Sequence, residues 1–166
     1  MNSMKKILFA LAFPLIGFSQ VSITATGSYT QNFDGLANTG TTNAWIDNTT
    51  IPSIYAQRSG TGTNYAADNG AGNAGNLYSY GSTGATERAL GSLGSSNAAA
   101  GNFAYGIQFQ NNTTGIVNNF TVSYTMEQWR KSGVTAGQTL TFWYKVSSTV
   151  ITALNPNSNA TWTQVT

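Results

Sequence analysis

From residue 20 onward, apolar and polar positions alternate in short runs, and clusters of Gly, Asn, Ser and Thr interrupt them about every ten residues. A period of two puts successive side chains on opposite faces of a strand, so each run predicts one strand and each cluster a turn. Three runs are clearest. In "FAYGIQFQ", Phe103, Tyr105, Ile107 and Phe109 share one face; in "NNFTVSYTMEQWR", Phe120, Val122, Tyr124 and Met126 do so; in "TLTFWYKV", Leu140, Phe142, Tyr144 and Val146. Weaker runs predict strands at 21–26, 28–33, 44–47, 54–58, 77–80, 87–93 and 160–165. Ten short strands with no helical crossovers predict an all-β domain, specifically a two-sheet antiparallel β-sandwich of the jelly-roll kind. The segment 59–76, "SGTGTNYAADNGAGNAGN", is too long for a hairpin and is expected to be a functional or mobile loop.

The first nineteen residues have a different character. Lys5 and Lys6 precede the apolar run "ILFALAFPLIGF", and "GFSQ" offers a small-residue cleavage point between Ser19 and Gln20. The run is twelve residues long, short of the roughly 20 that a spanning helix needs. Residues 1–19 therefore read as an export signal, and 20–166 as a single β-sandwich domain that is secreted or displayed at the cell surface. With no Cys there is neither a lipid-anchored cysteine nor a disulfide framework. At the other end, "NATWTQVT" has strand patterning up to the last residue, which predicts a fragment, truncated at the C-terminus, of a longer protein.

Removing the signal changes the charge balance. Five basic residues (Arg58, Arg88, Arg130, Lys131, Lys145) then face five acidic ones (Asp34, Asp47, Asp68, Glu87, Glu127). The net positive charge of the whole chain is thus no sign of a nucleic-acid or membrane partner. The sequence has no His, which removes Ser-His-Asp triads, Cys-His dyads and His-bearing zinc sites. Carboxylate chemistry of the glycosidase type survives, and it needs two acids roughly 5 to 9.5 Å apart.

Charges this rare draw attention where they cluster. "SYTMEQWRKSG" at 123–133 holds Glu127, Arg130 and Lys131, and "ER" places Glu87 beside Arg88. Strand parity puts Glu127 on the face of Thr125 and Trp129, with Arg130 on the other. Glu87, Arg88, Glu127 and Arg130 are expected to form structural ion pairs between strands, because the guanidinium fork suits fixed carboxylates. "GAGNAG" at 70–75 matches a dinucleotide fingerprint formally, but a strand-like "NLYSY" follows where a helix would be needed. Gly70, Gly72 and Gly75 read instead as turn residues accepting positive φ.

Candidate ligand contacts fall in the 59–76 loop. Asp68, Asn69 and Asn73 carry oxygens of the type calcium takes, so a structural calcium is one expectation there, although no EF-hand pattern is present. Trp45, Tyr55, Tyr65, Tyr78 and Tyr80 are candidates for a sugar-stacking platform, with Tyr65 favoured for its place in the loop; core packing competes for each.

Three phrases add a resemblance: "YTQNFDGL" at 29–36, "YSYGSTGATERALGSL" at 78–93 and "FTVSYTMEQWR" at 120–130. In that order they resemble the N-terminal β-sandwich domain of large secreted Bacteroidota proteins. The resemblance implies a jelly roll followed by lamin-tail, immunoglobulin-like, fibronectin-like or nuclease domains and a type IX secretion sorting tail. It also implies an accessory or adhesive module without assigned catalytic residues. The resulting expectation is a non-enzymatic extracellular module whose partners are polysaccharide or cell-surface components. The alternatives are the leader domain of a secreted nuclease or phosphodiesterase, and a carboxylate-dependent glycosidase.

Overall fold

The computed structural model describes residues 20–131, 133 and 139–166; the signal-like stretch 1–19 lies outside them. The protein is all-β, and the described residues contain no helix. Ten strands occur: β1 (Val21–Ile23), β2 (Asn43–Ala44), β3 (Ile54–Arg58), β4 (Asn64–Asp68), β5 (Asn76–Tyr80), β6 (Ala89–Leu93), β7 (Phe103–Ile107), β8 (Phe109–Asn111), β9 (Trp143–Tyr144) and β10 (Thr163–Gln164). The largest sheet has the order β2-β4-β5-β6, and β3-β7, β1-β8 and β9-β10 form separate two-stranded sheets.

The centre of the structure is β5. Its sequence "NLYSY" places Leu77 and Ser79 on one face and Tyr78 and Tyr80 on the other, and all four are buried. Burial on both faces is what a strand needs when neighbours cover both sides of its sheet. On the first face Leu77 packs with Tyr65 of β4, Ile54 and Ala56 of β3, and Leu36 and Ile51 from the connections. The β3-β7 pair and the four-stranded sheet therefore share one core. On the second face Tyr78 and Tyr80 pack with Ala66, Ala89, Leu93 and Trp129. Leu77, at 1% exposure, contributes about 2 kcal/mol by burial alone.

Several expectations are corrected. The segment 59–76 is not a structureless loop, since β4 occupies its middle and is hydrogen-bonded on both sides. Asn, Ala and Asp are poor strand formers, and here a place between β2 and β5 outweighs that weakness. The sheets are not purely antiparallel: β4 pairs with β5 in parallel, Tyr65 opposite Leu77 and Asp68 opposite Tyr80, and β1 pairs with β8 in parallel. The expected strand 28–33 is absent, and that at 118–130 forms no ladder among the described residues. Only Trp143 and Tyr144 of 139–146 are in a strand. Tyr124, Met126 and Leu140 are each 62% exposed, so these apolar rows are not part of the core.

Candidate functional site

The parallel β4-β5 pair sets the site. Parallel neighbours ordinarily need a crossover of about a dozen residues or more, but here residues 69–75 alone carry the chain back. The sequence "DNGAGNAG" makes this short return possible. Asp68 Oδ1 accepts the amide of Gly70 at 2.6 Å, and Oδ2 accepts that of Gly72 at 3.1 Å. Gly70 has φ +89°, and a Cβ there would collide with the carbonyl oxygen of Trp129. Glycine is required at this position twice over, by backbone conformation and by close approach.

The second wall comes from the segment carrying "EQWR". Arg130 Nη1 donates to the carbonyls of Gly70 (3.3 Å) and Ala71 (2.9 Å), fastening the segment to the loop. Trp129 lies flat over Tyr80, with centroids 6.2 Å apart and planes 4° from parallel, and Tyr80 stacks in turn on Tyr78 at 5.0 Å. The indole N–H of Trp129 donates to Glu127 Oε2 at 2.7 Å. That bond follows from the parity that places residues 127 and 129 on one face. Trp45 repeats the device, donating to Asp47 Oδ1 at 2.7 Å.

Arg88 lies on the other face of β5, the face of Ser79. It is 2% exposed, and its Nε donates to Ser79 Oγ at 2.8 Å. Nη2 donates to the carbonyls of Ser79 and Asp68, and Nη1 to that of Ser82. One guanidinium thus ties the end of β4 to β5 and to the turn that follows it. Burial pulls its pKa below the usual arginine value, while Glu87 and Asp68 act in the opposite sense. Its main-chain amide donates to Asp34 Oδ1 at 3.1 Å. Beside it opens a pocket of about 210 Å³ lined by Asn38, Thr39, Asp68, Asn69, Thr83 and Arg88. Burial pushes the Tyr78 and Tyr80 hydroxyls above the usual phenol range; Asp68 adds to the effect and Arg130 opposes it.

Of the residues singled out from sequence, Asp68, Asn69, Glu127 and Arg130 lie at or beside the 69–75 return, and Arg88 reaches it from the Ser79 face through the Asp68 carbonyl. Asn69 donates to Thr83 Oγ1 at 3.1 Å, and Asn73 and Glu87 are exposed. Tyr65 is elsewhere. It is 4% exposed, its hydroxyl accepts the Ala37 amide at 3.1 Å and its ring meets Trp45 edge-on, so it is a core residue and not a loop platform. The hydrogen bonds of Arg88 and Arg130 described above go to main-chain carbonyls and Ser79. The bond at Glu127 goes to Trp129.

Asp68 closes its own loop with both oxygens, and among the described residues no three or more acidic side chains come together. The residue that sequence reasoning passed over is Trp129. Its signal was the Glu-x-Trp spacing, which in an extended segment pairs an indole with an acceptor on the same side. No protein-family description, curated protein or solved structure matches the chain.

Proposed function

We propose that this chain is a secreted, non-catalytic β module that holds carbohydrate, with the half-buried indole of Trp129 as the stacking surface. The observation that carries the reading is the Trp129–Tyr80 stack. Tyr80 supports the ring from below and Glu127 fixes its edge, so little ordering cost remains to be met when a ligand arrives. An aromatic plane rimmed by charged and amide groups suits a sugar, which has an apolar C–H face and a hydroxyl edge.

The non-catalytic part of the reading is supported by what the carboxylates do. Asp34 takes the Arg88 amide, Asp47 the Trp45 indole and the Ala56 amide, Asp68 its own loop, and Glu127 the Trp129 indole. Four of the five acids in the chain thus organise the fold. The extracellular setting rests on the pattern of residues 1–19.

The test is retention of the purified protein on a glycan array and on insoluble polysaccharides, compared with Trp129→Ala. Retention lost in the variant, with a cooperative melt preserved, is the expected result. Absence of any retained glycan, or full retention by Trp129→Ala, defeats the reading.

A further inference from the structure

We infer that a second site, for the carboxylate-bearing ring of an acidic saccharide, lies in the cleft between the end of β3 and residues 152–156. The cleft measures about 360 Å³ and is lined by Trp45, Asp47, Gln57, Arg58, Asn155 and Pro156, among others. It shares no lining residue with the pocket beside Asp68. Neither Trp129 nor Tyr80 lines the cleft, so this site stands or falls separately from the Trp129 surface.

Both walls are fixed by the sequence. On one side, Asp47 holds the Trp45 indole at 2.7 Å, the Ala56 amide at 2.9 Å and Gln57 Nε2 at 2.7 Å, while Tyr65 braces the ring edge-on. On the other, the Gln57 side chain acts as a substitute strand. Its Nε2 donates to the Thr152 carbonyl and its Oε1 accepts the Leu154 amide, each at 2.7 Å. Leu154 then seats against Gly106, where a Cβ would come within 2.7 Å of Leu154 Cδ2. Asn155 follows with φ +53° directly before Pro156. Asn accommodates that left-handed state more readily than other side chains with a Cβ.

The chemistry of the ligand follows from Arg58. Its Nη1 donates to Asn76 Oδ1 at 2.8 Å and its Nη2 to the Asn64 carbonyl, both neutral oxygens. Gly62 leaves room for the guanidinium, since a Cβ there would lie 2.6 Å from Nη1. Burial draws the Arg58 pKa down, which marks a guanidinium partly stripped of water. Arginine remains charged near neutrality all the same, and Asp47 already receives three N–H groups. Asp47 keeps its charge, but its two oxygens are taken up by those three donors, so what the cleft has left to offer a ligand is the guanidinium N–H groups of Arg58. A carboxylate would complete Arg58 through charge-assisted hydrogen bonds, while Trp45 and Pro156 offer apolar surface to the C–H face of a ring. A hexuronate combines the two features.

The test is calorimetric titration of the purified protein with a galacturonate trisaccharide and with a neutral galactose trisaccharide. The uronate is expected to bind about tenfold or more tightly, and added salt to erode that preference. Arg58→Gln should abolish the preference. Because Arg58 also holds Asn76 and Asn64, the exposed Asn155→Asp gives an independent check. It adds a carboxylate to the cleft at a residue type that tolerates positive φ, and it should cut uronate affinity while sparing the neutral sugar. Trp129→Ala should leave the preference intact. Equal affinity for the two sugars, binding of neither, full preference in Asn155→Asp, or loss of uronate binding in Trp129→Ala each overturns the inference.

Discussion

The indole of Trp129 lies 4° from parallel to the phenol ring of Tyr80, although Tyr80 ends a central strand and Trp129 belongs to a segment with no strand partner among the described residues. The contact joins a part of the molecule organised by ladder hydrogen bonds to one organised by side chains. Truncating Trp129 to Ala removes this packing and leaves Glu127 without its donor. The ring is only half-buried, so the expected cost is about 1–3 kcal/mol, below the range for a full aromatic truncation in a core. Urea denaturation of the variant measures it.

Tyr80 also sets a pH dependence. Burial raises its pKa, with Tyr78 and Asp68 acting in the same sense, and Tyr78 is raised as well. The unfolded chain ionises its tyrosines near pH 10, so above that pH the unfolded state binds fewer protons than the folded one. Linkage then lowers stability as pH rises. The contribution is fully present below about pH 10 and is lost toward the folded-state pKa. A melting temperature that falls as the pH rises above about 10 is expected, with a shallower fall in Tyr80→Phe. An unchanged slope in that variant would assign the alkaline loss to other groups.

Arg88 and Arg130 both donate to carbonyls, yet their burial differs. Arg88→Met takes the guanidinium donor from Ser79 Oγ and the Ser79 carbonyl in a buried setting, while the Asp68 and Ser82 carbonyls keep the Gly81 and Ala85 amides, and about 2–5 kcal/mol of destabilisation is expected. Arg130→Met releases the Gly70 and Ala71 carbonyls toward solvent and should cost about 1 kcal/mol or less. Chemical denaturation of the two proteins side by side gives the ranking, and a reversed order would contradict the burial argument.

Asp68 is held by the Gly70 and Gly72 amides. Asp68→Ala removes acceptors from both and should cost about 1–3 kcal/mol. Since those oxygens already close the loop, chelator or added calcium should leave the melting temperature of the native protein within about 1 °C, because a cation that binds the folded state would raise it by mass action. A calcium-dependent rise of several degrees would instead make Asp68 part of a cation site.

Strands β3, β5 and β6 were legible because Tyr, Ile and Leu fall there in short runs bounded by turn residues, and β7 because Phe103, Tyr105 and Ile107 alternate with Ala104 and Gly106. Strand β4 was not legible: "NYAAD" lacks strand-forming composition apart from Tyr65, and it is a strand because the Asp68 turn folds it back beside β5. The opposite error occurred at 120–126 and 140–146, where the alternation is regular but a ladder needs a non-local partner that no local pattern specifies. The candidate site divides in the same way. The Glu127–Trp129 bond is written in the spacing of two residues, whereas the meeting of Arg130 with the Gly70 and Ala71 carbonyls is a long-range event.

By itself, the sequence determined the all-β class, the shortage of charge and the absence of histidine and cysteine, since each follows from composition or local period. Which charges sit together, which tryptophan faces which tyrosine, and that Tyr65 is core were decided only in the tertiary structure. Those outcomes depend on register and on chain return between strands, and loop closure and pairing energies act across distances that neighbouring residues do not encode.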